Sequence, residues 1–127
     1  MEITNECNLN CSICMRNVWD VKYGGMSAEI FKRILSGLEG LGKKPELFFG
    51  GYGEPLSHPA CLDMIEQAKT AGHPVSLISN GILLTEQVTC RLIELKLDKL
   101  WYRWMVHHQN AMRMSALETP CLLSSKT

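Results

Sequence analysis

Cys7, Cys11 and Cys14 stand in the run Glu6-Cys7-Asn8-Leu9-Asn10-Cys11-Ser12-Ile13-Cys14, a C-x3-C-x2-C spacing that puts three thiolates on one short loop. A cubane 4Fe-4S cluster is normally held by four thiolates, one per iron. Three thiolates leave one iron open to bind a substrate or cofactor directly. Two other chemistries use the same residue types. Structural zinc sites are closed by four ligands, usually as two separated cysteine pairs, whereas Cys61, Cys90 and Cys121 are scattered and form no second pair. The embedded Cys11-Ser12-Ile13-Cys14 also fits a redox dithiol, but no thioredoxin-type strand and helix surrounds it. Spacing alone leaves all three open and favours the cluster.

Two further loops carry unusual residues. In Gly50-Gly51-Tyr52-Gly53-Glu54-Pro55, three glycines permit positive φ and let a ligand approach the backbone closely. A plain flexible strand–helix connection is the alternative reading. Ser79-Asn80-Gly81 is an ordinary turn signal when taken alone. His58, just before Pro59, reads as a capping or surface residue, and Asn17-Val18-Trp19 has no derivable role.

The elements that must position these loops follow from hydrophobic spacing. Glu2 to Thr4 reads as the end of a short strand feeding the cysteine loop, with Met1 inside the same element. Ser27 is an N-cap, followed by Ile30, Phe31, Ile34, Leu35 and Leu38 at helical spacing, and Gly40 and Gly42 stop the run. Leu47-Phe48-Phe49 is a short apolar strand. A second helix is expected from about Pro59 through Leu62, Ile65 and Ala68 to Gly72. Val75-Ser76-Leu77-Ile78 is the next strand. Thr85 caps a third helix with Val88, Leu92, Ile93 and Leu95 on one face, and Lys99-Leu100-Trp101 begins a fourth strand. Strands alternating with helices imply βαβ units and a parallel sheet. In such sheets chemistry collects at the C-terminal ends of the strands, where all three unusual loops fall.

Composition sets the outer bounds. The chain has 127 residues, 46% hydrophobic and 20% charged, which is the balance of one ordinary globular domain. Thirteen basic residues offset thirteen acidic ones, so no electrostatic footprint for nucleic acid or a membrane surface is expected. Met1 to Glu6 show neither a basic n-region nor an apolar h-region, so no signal peptide is expected, and no apolar run approaches a membrane span. Six cysteines without a secretion signal point to a reducing compartment, with the cytoplasm as default.

The cysteine run resembles the signature of the radical S-adenosylmethionine (radical SAM) superfamily, in which the open iron chelates the methionyl end of the cofactor. The Gly50–Pro55 loop resembles that family's G-G-E-P motif, whose backbone and carboxylate meet the cofactor's amino group. This chain departs by inserting Tyr52 between the second and third glycines. Ser79-Asn80-Gly81 is similar to the family's T-N-G segment. The resemblance spans roughly Ile3 to Trp101 and is nearest to the branch of cofactor maturases and peptide-modifying (SPASM-like) enzymes. It implies an α/β fold, a truncated partial (βα)6 TIM-like barrel of about four βα units. It implies Cys7, Cys11 and Cys14 as iron ligands. It also implies Gly51, Gly53, Glu54, Pro55, Ser79 and Asn80 as S-adenosylmethionine contacts, with Ile13 against the adenine or merely packing. The implied reaction is reductive cleavage of S-adenosylmethionine to a 5′-deoxyadenosyl radical that abstracts hydrogen from a small-molecule or peptide substrate. The electron would come from a donor such as flavodoxin or ferredoxin. No side chain is required as a general acid or base for the radical step.

After Trp101 the pattern changes. Residues 102–127 show neither strand alternation nor a clear helical face, and His107-His108 carries no motif that would support a metal site. Codons read from the third base of Trp101 allow Trp-Val-Ser-Leu-Asp-Gly-Ala-Ser-Pro-Glu-Cys-Tyr. That series resembles the strand and loop that follow at this point in radical SAM enzymes. Residues 1–101 are therefore expected to be the N-terminal part of a radical SAM core. Residues 102–127 are expected to be a non-homologous frameshift product that packs poorly and supplies no ligand.

Overall fold

The computed structural model describes residues 1–102. Helix α1 (Ala28–Glu39) starts where Ser27 Oγ accepts the Ile30 N–H at 3.2 Å, and it ends at Gly40. Its buried stripe is Phe31 and Leu35, four residues apart on one face, which leaves Ile30 turned outward and half exposed. Strand β1 (Leu47–Phe49), helix α2 (Cys61–Thr70), strand β2 (Val75–Ser79), helix α3 (Glu86–Glu94) and strand β3 (Lys99–Tyr102) follow. Thr85 caps α3 through its hydroxyl as expected, and Leu92 is its buried contact while Ile93 faces out.

The strands form a parallel sheet in the order β1-β2-β3, with Phe49 opposite Leu77 and Ser79 opposite Tyr102. Phe31, Leu35, Phe49, Met64, Ile65, Ala68, Val75, Leu77 and Leu92 pack into one core between the helices and the sheet. Burying a large apolar side chain of this kind is worth about 1.5–3 kcal/mol. On the opposite sheet face Phe48 and Trp101 remain exposed, and Lys99 pairs with Glu46 at 3.2 Å. No helix among the described residues is long and apolar enough to cross a membrane.

Three expectations about element bounds need correction. The Glu2–Thr4 segment is not a fourth strand of the sheet. Its backbone is taken by the chain after the cysteine loop, with an isolated antiparallel bridge between Thr4 and Gly25. Met26 N–H donates to the Ile3 carbonyl, and the Thr4 hydroxyl donates to Gly24. Met1 alone lies beside β1, bonding the Phe48 carbonyl and the Gly50 amide. The second helix begins at Cys61 rather than Pro59, because the His58 ring intervenes. Its Nδ1 accepts the Ala60 N–H at 3.0 Å, so the proton sits on Nε2, which donates to the Met26 carbonyl at 3.0 Å. His58 thus caps the Pro55–Ser57 turn through its backbone N–H, which donates to the Pro55 carbonyl, while its ring braces the approach to α2. Strand β3 also runs one residue past the expected boundary, to Tyr102. The remainder of the expected frameshifted tail, 103–127, lies outside the described residues.

Candidate cofactor site

At the C-terminal end of the strands lies a cleft of about 490 Å³, within the range of small-molecule sites. The three loops singled out by sequence converge on it. Cys7, Cys11, Cys14, Ile13, Gly51, Gly53, Glu54, Ser79 and Asn80 all line it. Pro55 does not; it is buried and opens a 3-10 turn (Pro55–Ser57) that holds the end of the glycine loop.

The cysteine loop is shaped by its own backbone. Cys14 N–H donates to the Cys11 carbonyl at 2.9 Å, and the Asn17 side-chain amide donates to the same carbonyl at 2.8 Å. The three thiols are free and half-buried. The Cys7 sulfur receives the Leu9 amide at 3.5 Å and the Asn80 side-chain amide at 3.8 Å. N–H donors of this kind stabilise a thiolate and tune a metal-bound sulfur. Among the described residues no three His, Cys, Asp or Glu side chains converge on a single ion. A cubane does not require that, because each thiolate takes a different iron. Arg16, two residues beyond Cys14, places a buried Nε with no hydrogen-bond partner beside this loop. An orphaned donor next to three thiols suits an anionic group, so the donor set fits the cluster.

The glycine loop is held from two sides. Gly51 adopts φ +152°, and a Cβ on Gly53 would overlap the carbonyl oxygens of Thr4 and Glu6. Both contacts are with backbone, so only glycine allows this approach. Glu2, which the sequence did not single out, accepts the Tyr52 N–H at 2.6 Å. Glu54 is 3% exposed, and its carboxylate receives the Leu56 N–H at 3.2 Å and the Asn80 N–H at 2.7 Å. It therefore ties the loop after β1 to the turn after β2. An ionised carboxylate has about four acceptor positions, which leaves capacity toward the cleft. Asn80 extends the tie to the cysteine loop through Asn8 Oδ1 at 2.8 Å.

Other residues were not legible beforehand. The inserted Tyr52 packs edge-on against Trp19, with ring centroids 4.3 Å apart, which gives Trp19 a place it lacked in the sequence. Tyr102 lines the cleft with its ring over Gly81, where φ is +86°. No motif marks either contact. Cys61 is buried in the core, and burial first, then the nearby Glu54 charge, push its thiol up to about 12. It stays protonated and is no ligand.

Fold and cleft together define an α/β protein with a three-thiol cleft at the strand ends of a parallel sheet. The Radical SAM superfamily model matches residues 1–101, and the chain belongs to that superfamily. It is 35% identical over 102 residues to the tungsten-containing aldehyde ferredoxin oxidoreductase cofactor-modifying protein of Pyrococcus furiosus, covering 80% of this chain and 29% of that protein. It is 34% identical over 92 residues to the AdoMet-dependent heme synthase of Methanosarcina barkeri, covering 72% of this chain and 26% of that one. The chain thus spans under a third of the length of these curated relatives. The crystal structure of BtrN in complex with AdoMet and 2-DOIA superposes with a TM-score of 0.73 over 89% of this chain and 46% of that chain, at 24% identity, and supports the fold.

Proposed function

We propose that this chain carries the cofactor-binding part of a radical SAM enzyme. Cys7, Cys11 and Cys14 hold a 4Fe-4S cluster, and the Gly51–Glu54 loop with Ser79 and Asn80 holds S-adenosylmethionine. The observation that carries this reading is the convergence of all three loops on one cleft. When bound, the two cofactors supply a one-electron reduction and a carbon radical that abstracts hydrogen from substrate. The chain's own residues orient and shield. Glu54 and Asn80 hold the two loop ends in register, Gly53 admits close backbone approach, and Ile13 offers an apolar surface for the adenine. The sheet face left uncovered among the described residues fits a sheet that continues as a partial (βα)6 barrel. The substrate class is a small molecule or peptide, the electron donor is of the flavodoxin or ferredoxin type, and the compartment is cytoplasmic.

Anaerobic reconstitution with iron and sulfide tests this reading. The expected product is brown, with close to four irons per chain by the one-cluster stoichiometry, and with an electron paramagnetic resonance signal that changes on adding S-adenosylmethionine. Stoichiometric zinc without broad visible absorption would sink it. Residues 102–127 are proposed as the product of a frameshift. The encoding DNA decides that point: restoring one base near the Trp101 codon should open a frame encoding Val-Ser-Leu-Asp-Gly and further βα units. Absence of such a frame overturns it.

A further inference from the structure

Every residue lining the cleft is neutral or anionic except one. Arg16 is the single cation among the described lining residues, and it shares the cleft with all three cysteines. Its placement is built rather than incidental. Nη1 donates to the Leu9 carbonyl at 3.2 Å, inside the Cys7–Cys11 segment, and the guanidinium carbon sits 4.9 Å from the Tyr23 ring centroid. The Tyr23 hydroxyl donates back to the Arg16 carbonyl at 3.4 Å. This clamp leaves Nε buried and unpartnered. A buried donor without an acceptor is unfavourable. The side chain is held in one place by its other contacts, and an arginine stays charged under all relevant conditions.

Resting on the cluster reading above, we propose that Arg16 is the counter-charge of the iron–sulfur site and sets its reduction potential. A cubane bearing three thiolates is anionic and gains a further negative charge on reduction. A fixed cation at short range, in a half-buried cleft with weak screening, stabilises the reduced state more than the oxidised one. Cluster potentials are governed by net charge, hydrogen bonds to sulfur and solvent exposure, and Arg16 acts on the first. The remaining carboxylate of the cleft, Glu54, keeps its negative charge, stabilised by the Leu56 and Asn80 amides, so Arg16 is the one described lining cation that opposes it and the cluster alike.

The test compares reconstituted wild type with R16Q, R16K, Y23L and, as a distant surface cation, R33Q. Iron content and visible spectra establish loading, and a spectroelectrochemical titration reads the midpoint potential. R16Q should load iron yet titrate at a more negative potential, so that the reduced fraction at the wild-type midpoint falls several-fold. R16K should restore most of the shift, Y23L should give a smaller one in the same direction, and R33Q none. Should R16Q fail to load, R16K and Y23L decide the matter by the same criterion. A loaded R16Q with the wild-type midpoint, or an R16K as displaced as R16Q, makes Arg16 a tether of the loop and overturns the proposal. A wild type that loads no cluster overturns this inference together with the functional reading, whereas a loaded wild type with an unmoved R16Q removes this inference alone.

Discussion

The helix-covered side of the sheet and the rim above it are built on opposite principles. In the body, Phe31, Phe49, Met64, Ile65, Val75 and Leu77 are fully buried and their shapes interlock. On the rim, Ile13 is 77% exposed and Val18 74%, and order comes instead from hydrogen bonds that cross between loops. Packing dominates the first region, and the second carries the candidate site. The seam between them is Glu54, a buried carboxylate in the loop after β1 whose bonds run to Leu56 and Asn80. The rim can therefore exchange side chains for ligands while the body keeps the strand ends in place.

The sharpest way to break this comparison is to exchange cysteines between the regions. Cys7→Ala, Cys11→Ala or Cys14→Ala should abolish cluster loading, measured as iron per chain, while leaving the thermal midpoint of the metal-free protein nearly unchanged. Cys61→Ala should do the reverse, retaining iron and lowering the midpoint, since Cys61 is 2% exposed within the core. Loss of iron on changing Cys61 would mean that body and rim are not separable.

Truncation of the body comes next. Phe49→Ala removes a fully buried ring that meets Phe31 at 6.0 Å between centroids. It should cost about 3–5 kcal/mol in denaturant unfolding. A cost below about 1 kcal/mol would contradict a close-packed core.

At the seam, Glu54→Ala should weaken the response to S-adenosylmethionine by about 1.5–3 kcal/mol, the worth of a hydrogen bond to a charged group. Titrating the electron paramagnetic resonance change with cofactor reads this directly. An unchanged affinity would assign Glu54 wholly to holding the loops. The smallest effect belongs to the far end of the sheet. Asp98 accepts Lys69 Nζ and the Val75 N–H, each at 2.7 Å. The Lys69 bond first, and the Val75 bond second, hold its carboxyl below the ordinary value of 3.8. A depressed carboxyl stabilises the fold above that ordinary value, and the contribution is lost as pH falls through the lower folded value. Because the Asp98 side chain is 39% exposed, Asp98→Asn should cost about 0–1 kcal/mol at pH 7. The difference from wild type should vanish under strong acid, and a gap that widened there would reverse the assignment.

Several features were present in the sequence because they are local. The cysteine spacing, the Ser27 and Thr85 caps, the Gly40 stop and the apolar strands all depend on neighbours within a few residues, and the structure keeps each of them. Alternation of strand and helix was enough to place the three loops at one end of a parallel sheet. What the sequence did not contain were partners far apart along the chain. The fate of Ile3–Asn5 depended on whether its amides met β1 or the segment at Gly24–Met26, and tertiary pairing chose the latter. The His58 ring is held by the Met26 carbonyl, 32 residues away. Glu54 was readable as an acid in a glycine loop, but its bond to Asn80, 26 residues on, was not. Arg16 carried no motif at all. Its partners Leu9 and Tyr23 each lie only seven residues away, but the loop geometry that turns them onto it leaves no periodicity in the chain.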